Sequence, residues 1–411
     1  MAGGAGRAEP AGPVLPDHAV IGAARSARFV LLGEATHGTS EFHSERAAIT
    51  ARLIEDARPS AVVIEADVPE VERLNLYVRG SGEDHTAAAA LSGFRRFPRW
   101  MWRNAEFAAF VDALRAANLR LPAASRVGLY GMDVYDLYGA LDRVRAHAGG
   151  HRAVATALAD AMKCFAPHRR STEAYGIAAR KPARSCAAPA EALLHAVQQT
   201  FPAGQDGDGE ARFAAIQAAA AVIAGEAYFR ASYAGAYSWN VRERSMAATV
   251  RRVAAHAEGS RAGSARVVVW THNSHVAHAA STAMANRGEQ SMADLLRQDG
   301  AAQVFAIGFL TRSGTFMAAP AWDRPGRIYR LTPAARDSVE GLLRRSGEGR
   351  AMVMLRGAAP TPPFSEWRPQ RGIGAVFDAQ DPKAVYSRVR LGTEFDAVGF
   401  LNETQAVHPL A

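Results

Sequence analysis

Cysteine and lysine are the scarce residues of this 411-residue chain. Its two cysteines, Cys164 and Cys186, lack the spacing of a metal site and are too few for a disulfide-built scaffold, so cysteine use points inside the cell, with the cytoplasm as the expected location. Lysine occurs only at Lys163, Lys181 and Lys383, so the net charge of +8 rests on dispersed arginines rather than on a basic block of the kind that binds nucleic acid. Long apolar runs are missing, which argues against a membrane span. Met1 to about Pro16 is small, Gly- and Pro-rich and without an apolar segment, so no signal peptide is expected and residues 1–20 read as a flexible N-terminal tail. No Gly-x-Ser-x-Gly elbow occurs, which argues against a serine nucleophile on a strand-to-helix turn. Internal repeats and coiled-coil heptads are lacking as well. With 48% hydrophobic and 21% charged residues, the chain can bury a large core and reads as a globular protein of two lobes.

What is present is a recurring pattern. Leu31-Leu32 runs into Gly33-Glu34-Ala35-Thr36-His37-Gly38, where glycines permit a tight turn and Thr39 or Ser40 can cap the following helix, with Glu41 in its electropositive first turn. Ala61–Ile64 ends in Glu65, Arg126–Met132 ends in Asp133, and Arg266–Thr271 ends in His272, with His275 beyond it. Each is a short apolar or β-branched run followed by a helical pattern, the signature of an α/β fold with a mainly parallel central sheet flanked by helices. Parallel strands bring their carboxyl ends to one edge, where open sheets bind ligands. Glu34, His37, Glu65, Asp133, His272 and His275 are therefore expected at one site.

The helix after the first turn adds a further signal. Phe42, Arg46, Ile49 and Leu53 fall at helical spacing, which places an arginine on the core-facing stripe. A buried guanidinium needs carboxylates around its fork of donors, and Glu34 and Glu65 are the candidates.

Between about Gly149 and Ser264 the strand pattern gives way to Ala-rich helical pattern, with helices expected through Ala153–Met162, Ala190–Gln199, Ala211–Arg230 and Trp239–His256 and a loop at Gly204–Gly209. The expected organisation is an α/β domain of residues 21–148 and 265–411, interrupted by an all-helical lobe of residues 149–264 that covers the mouth of the site. One basic, aromatic stretch, Phe94–Arg103, carries Trp100 and Trp102. Stacking of bases on it is conceivable, but no nucleic-acid-binding module accompanies it, so an aromatic wall beside the pocket is the preferred reading. Neither nucleic acid nor membrane is an expected partner.

Taken together, Gly33–Thr39 with Glu41, Phe42 and Arg46, then Ile64-Glu65-Ala66, Tyr130–Asp133, Trp239–Ala247, Trp270–Val276, Gln290–Met292 and Phe395–Val398 closely resemble the erythromycin esterase family. The resemblance covers nearly the whole chain apart from the N-terminal tail. Glu243, where the family usually has Asp, and Ala293, where Gly is common, depart from it. It implies a hydrolase that opens ester or lactone bonds without a metal or other cofactor. His37 is then the water-activating base, and Glu34, Arg46, Glu65, His272 and His275 complete the catalytic set. Imidazole suits proton abstraction from water at neutral pH, and His272 or His275 can supply the oxyanion donor if a carboxylate such as Glu34 or Glu65 fixes its tautomer. Ser274 reads as a helix cap and His278 as an ordinary helix residue. Trp100, Trp102 and Asp133 are assigned to the substrate, expected to be a bulky, partly apolar ester or lactone. A zinc site built from the same histidines and carboxylates is the rival within hydrolases, although a neighbouring Arg46 disfavours a cation there. The same residues would also serve a biosynthetic enzyme that uses the site for acyl transfer, cyclisation or dehydration, or a pocket that binds haem or another ligand without turnover.

Overall fold

The computed structural model describes residues 18–410 except 58, 149, 202–208, 236, 260–264 and 346–348. The four expected runs become β1 (Phe29–Leu32), β2 (Ala61–Asp67), β3 (Gly128–Asp133) and β4 (Val267–Trp270). Every residue of β1, β2 and β4 is buried, which accounts for sequences that are apolar throughout instead of alternating. The sheet extends beyond them through β5 (Val304–Ala318), β6 (Arg327–Leu331), β7 (Arg350–Met354) and, after a separate antiparallel pair β8 (Arg368–Arg371) and β9 (Tyr386–Val389), β10 (Ala397–Thr404). Its eight strands run β3-β2-β4-β1-β5-β10-β7, with β6 paired to β5. The pairs among β1 to β5 and β5–β10 are parallel, whereas β7 and β6 add antiparallel margins.

Register explains why the strand ends coincide. Leu32 lies beside both Trp270 and Ile307, and Ile64 lies beside Trp270. Residues 33–37 and 271–275, which follow their strands, and Glu65 near the end of β2 thus stand at one level.

A second apolar core stands apart from the one on the sheet. Leu137, Leu141 and Val144 of the helix Leu137–Ala148 pack with Val154, Leu158 and Phe165, with Leu193 and Val197, and with Ala215 and Val222 of the long helix Glu210–Tyr233. This core therefore recruits a helix that precedes the expected boundary at residue 149. Conversely, the helix Ser238–Gly259, expected in the lobe, buries Met246, Ala247, Val250 and Val253 against the sheet's core.

Cys164 and Cys186 form a disulfide between the helix Arg152–Phe165 and the start of the helix Ala187–Thr200. Few cysteines therefore does not mean free thiols here, and the argument for a reducing compartment loses its support. Among the described residues, no helix is long and apolar enough to cross a membrane. Of the expected tail, residues 1–17 lie outside the described residues, and the helix His18–Ala24 occupies the remainder. The expected loop at 204–209 lies outside them as well, apart from Gly209.

Candidate active site

The turn after β1 is shaped by two close approaches. A Cβ on Gly33 would sit 2.2 Å from Asn273 Oδ1, and one on Gly38 would sit 2.0 Å from the Met317 carbonyl oxygen. Asn273 uses that space to tie the strand ends together. Its Nδ2 donates to Phe309 O at 2.9 Å and its backbone N–H to Glu34 O at 2.9 Å.

Glu34, entirely buried, then faces two partners at once. Its Oε1 accepts from His37 Nδ1 at 2.8 Å, and its Oε2 lies 2.6 Å from Arg46 Nη2. Arg46 is buried on the helix Ser40–Ala57, with its guanidinium over the Trp270 ring at 4.9 Å, an attractive placement for a cation. Burial lowers the Arg46 pKa, and the charges of Glu34 and Glu65 oppose that shift. Because the Glu34 carboxylate only accepts, the His37 Nδ1 carries the proton and its Nε2 is left as an acceptor. His37 is 8% exposed and lines a cleft at this edge of the sheet.

Glu65 takes a different partner from the one anticipated. Its Oε1 accepts from Arg242 Nη2 at 2.7 Å and lies 3.2 Å from His275 Nε2; its Oε2 accepts from Thr271 Oγ1 at 2.6 Å and from His272 N–H at 2.8 Å. Burial disfavours the Glu65 charge, yet His275 and Arg242 outweigh it and hold the carboxyl well below its usual range. Arg242 also grips Asp133 with two bonds, Nε to Oδ1 at 2.8 Å and Nη2 to Oδ2 at 2.7 Å. Asp133 therefore lines the cleft with its carboxylate already engaged, a difference from its assignment to substrate.

The two histidines after β4 divide. His275 donates from Nδ1 to Glu243 Oε1 at 2.5 Å and stacks on Trp239 at 4.9 Å. Burial would lower its pKa, but Glu243 and Glu65 on either side push it up to about 9. His272 caps the short helix Asn273–Val276 with its own ring: Nδ1 accepts the Ser274 N–H at 3.2 Å and lies 2.9 Å from Ser274 Oγ. The cap is thus His272 rather than Ser274. An accepting Nδ1 places the proton on Nε2, which is buried and has no hydrogen-bond partner among the described residues. Burial brings the His272 pKa down to about 3, so the ring is neutral. The His37 and His272 rings lie edge to face with centroids 5.1 Å apart.

The cleft measures about 330 Å³. Its apolar wall includes Phe94, Phe97, Met101, Trp102, Tyr135 and Trp322, and Asp67, Glu70 and Arg96 add a polar margin. The interrupting segment 149–264 contributes Trp239 and Arg242 to the lining, so the loop around 94–102 shapes more of the mouth than the helical lobe does. Trp102 is held by its Nε1 donating to Glu65 O at 3.0 Å. Trp100 is absent from this lining and faces a second cleft. His278, exposed and bonded to Asp294 at 2.6 Å, precedes a short 3-10 turn and is not a helix residue.

Arg242 and Glu243 were not among the site residues read from the sequence. The signal was available: both share buried faces with Met246, Ala247 and Val250, the spacing that singled out Arg46. Among the described residues, no group of three or more His, Cys, Asp or Glu side chains is arranged to hold a metal ion. Glu34, Glu65 and His275 spend their atoms on the protein partners named above.

The family model for erythromycin esterase matches residues 54–404. Among solved structures, the chain resembles a succinoglycan biosynthesis protein at 18% identity, covering 95% of this chain and 91% of that one with a TM-score of 0.73. It also resembles a Bacillus cereus protein at 15% identity, covering 95% and 92% with a TM-score of 0.75. A third match is the erythromycin esterase EreC, a histidine-to-asparagine mutant in its open conformation, at 16% identity, covering 94% and 93% with a TM-score of 0.64.

Proposed function

The chain belongs to the erythromycin esterase family of hydrolases, and from that premise we propose that it cleaves an ester or lactone by a histidine-activated water. The observation that carries the reading is the line Arg46–Glu34–His37, which leaves one accepting imidazole nitrogen in a cleft that the His272 ring, 5.1 Å away centre to centre, also lines. His37 Nε2 takes a proton from water as the water oxygen bonds to the carbonyl carbon. Charge develops on the carbonyl oxygen, where His272 Nε2–H donates. The carbon–oxygen bond to the leaving group then breaks, and the proton on His37 passes to the departing alkoxide, giving an acid and an alcohol.

Glu34 holds the His37 tautomer and favours the transient imidazolium, while Arg46 pairs with the other Glu34 oxygen. Arg242 fixes Glu65, which in turn positions the His272 backbone. The apolar walls suit a bulky, partly apolar small-molecule substrate. Because the carboxylates are matched to arginines, the reaction needs no metal. The test is to incubate chelator-treated, dialysed protein with activated aryl esters and a set of macrolides, and to follow mass. Gain of one water on an ester or lactone supports the reading. Loss of turnover on chelation, restored by zinc or manganese, would favour the metal route; loss of water from a linear precursor would favour a biosynthetic cyclase.

A further inference from the structure

The stretch Phe94–Arg103 is only partly used by the site described above. Its 3-10 turn Arg99–Met101 separates two clefts: Met101 and Trp102 face the catalytic one, and Trp100 faces a second of about 530 Å³. Phe97 lines both, with its ring 4.8 Å from that of Trp322, so the two spaces meet at an aromatic divide. Asn104 fixes the turn by donating to Trp100 O at 3.2 Å and Met101 O at 2.9 Å. Glu70 fixes the approach to it, accepting from the Arg95 and Arg96 N–H groups at 2.9 and 3.1 Å.

The second cleft is lined by Arg95, Arg99, Arg103 and Arg324 against a single carboxylate, Asp323. Some arginines elsewhere on the surface have carboxylate partners, as Arg73 has Asp84, Arg251 has Asp299 and Arg356 has Asp396. Here no ion pair engages the side chains of Arg95, Arg99 or Arg324 among the described residues. Several arginines around one concavity, beside an apolar floor, are suited to a carboxylate or phosphoryl group, which guanidinium groups can bind with paired donors. The geometry points to an anion subsite in this cleft that holds a carboxylate- or phosphate-bearing end of the substrate while the ester lies across Phe97 at His37. The inference rests on the hydrolase reading for that second half only.

Chromogenic aryl esters with a neutral tail, a carboxylate-ended tail and a phosphate-ended tail test it. The expected result is a preference of roughly tenfold or more in kcat/KM for an anionic tail, the size of one good charge-assisted contact. It should diminish in high salt, and the better of the two tails identifies the anion. The double variant Arg99→Gln/Arg324→Gln should bring the ratio near one and leave the neutral ester unaffected. A calorimetric titration of the wild-type protein with inorganic phosphate supplies a readout independent of turnover, with saturable binding expected and its loss expected in the double variant. Equal turnover of neutral and anionic esters without phosphate binding would overturn the subsite and leave the hydrolase reading intact. Phosphate binding lost in the double variant, with no ester turned over, would uphold the anion site and fault the hydrolase reading. Binding of a single-stranded oligonucleotide but of no small anion would also overturn the inference.

Discussion

Arg46 and Glu34 define each other, because both side chains are fully buried and an unpaired charge at that depth is costly. Glu34→Gln keeps the shape and removes the charge, leaving the guanidinium without its 2.6 Å counterion. Breaking a buried pair in this way costs about 3–5 kcal/mol, so urea unfolding of the variant should shift by that order and ester turnover should fall with it. An unchanged midpoint would mean that the pair is not formed. In the proposed chemistry His272 acts through one nitrogen. His272→Asn should lower kcat by roughly 10²–10³ with a smaller change in KM, the loss associated with an oxyanion donor. Ser274→Ala should be mild, because the backbone N–H still donates to Nδ1. Equal severity in the two variants, measured under single-turnover conditions, would contradict the assigned tautomer. At this scale the sequence was informative wherever a charged residue interrupted an apolar pattern. Glu34, His37, Glu65 and His272 could be placed at one edge because each follows a short strand. The partner of Glu65 could not be read, since the choice between Arg46 and Arg242 depends on how the helix Ser238–Gly259 crosses the sheet.

Elements differ in what they contribute. β1 to β4 were legible because each is a short, largely buried run punctuated by an ionisable residue. β5 was not, since its 15 residues pass from complete burial through the half-exposed Arg312–Thr315 and back, and β6 and β7 are edge strands with exposed or half-buried residues. The helical core was legible as helices but not as a boundary, because the helix Leu137–Ala148 gives its apolar face to a partner far along the chain. The disulfide was unreadable from spacing alone, as it depends on the helices Arg152–Phe165 and Ala187–Thr200 packing side by side. It spans 22 residues of that core, away from the sheet edge. Its loss should therefore cost about 3 kcal/mol of stability, on the loop-closure account, with little effect on turnover. Thermal melts and ester assays of Cys164→Ala/Cys186→Ala would show this, and a large loss of activity at a temperature where the variant remains folded would refute it.

For the molecule as a whole, buried ionisable groups set the dependence of stability on pH. Glu394 is buried and its carboxyl is pushed up to about 8 by desolvation, despite the hydrogen bond from Gln370. Its folded value exceeds its ordinary one of 4.5, so the stability it confers is complete below about pH 4.5 and is lost as pH rises through about 8. His275, raised from 6.5 to about 9, acts in the same direction and is lost between those values. His272, lowered from 6.5 to about 3, acts oppositely and disfavours the fold as pH falls below 6.5. From about pH 6.5 to 8 both losses coincide and His272 no longer compensates, so the thermal midpoint should fall most steeply there. Glu394→Gln should raise the midpoint relative to wild type near pH 8 and change it little near pH 4.5. A constant difference at all pH values would contradict this assignment.

The proposed chemistry places its whole weight on one imidazole held by one carboxylate. The most direct test is the turnover of a hydrolysed ester by His37→Asn protein whose circular dichroism and melting match those of the wild type. A fall of about 10²–10⁴ in kcat is the result expected of a lost general base. Near wild-type turnover by the folded variant would contradict the account.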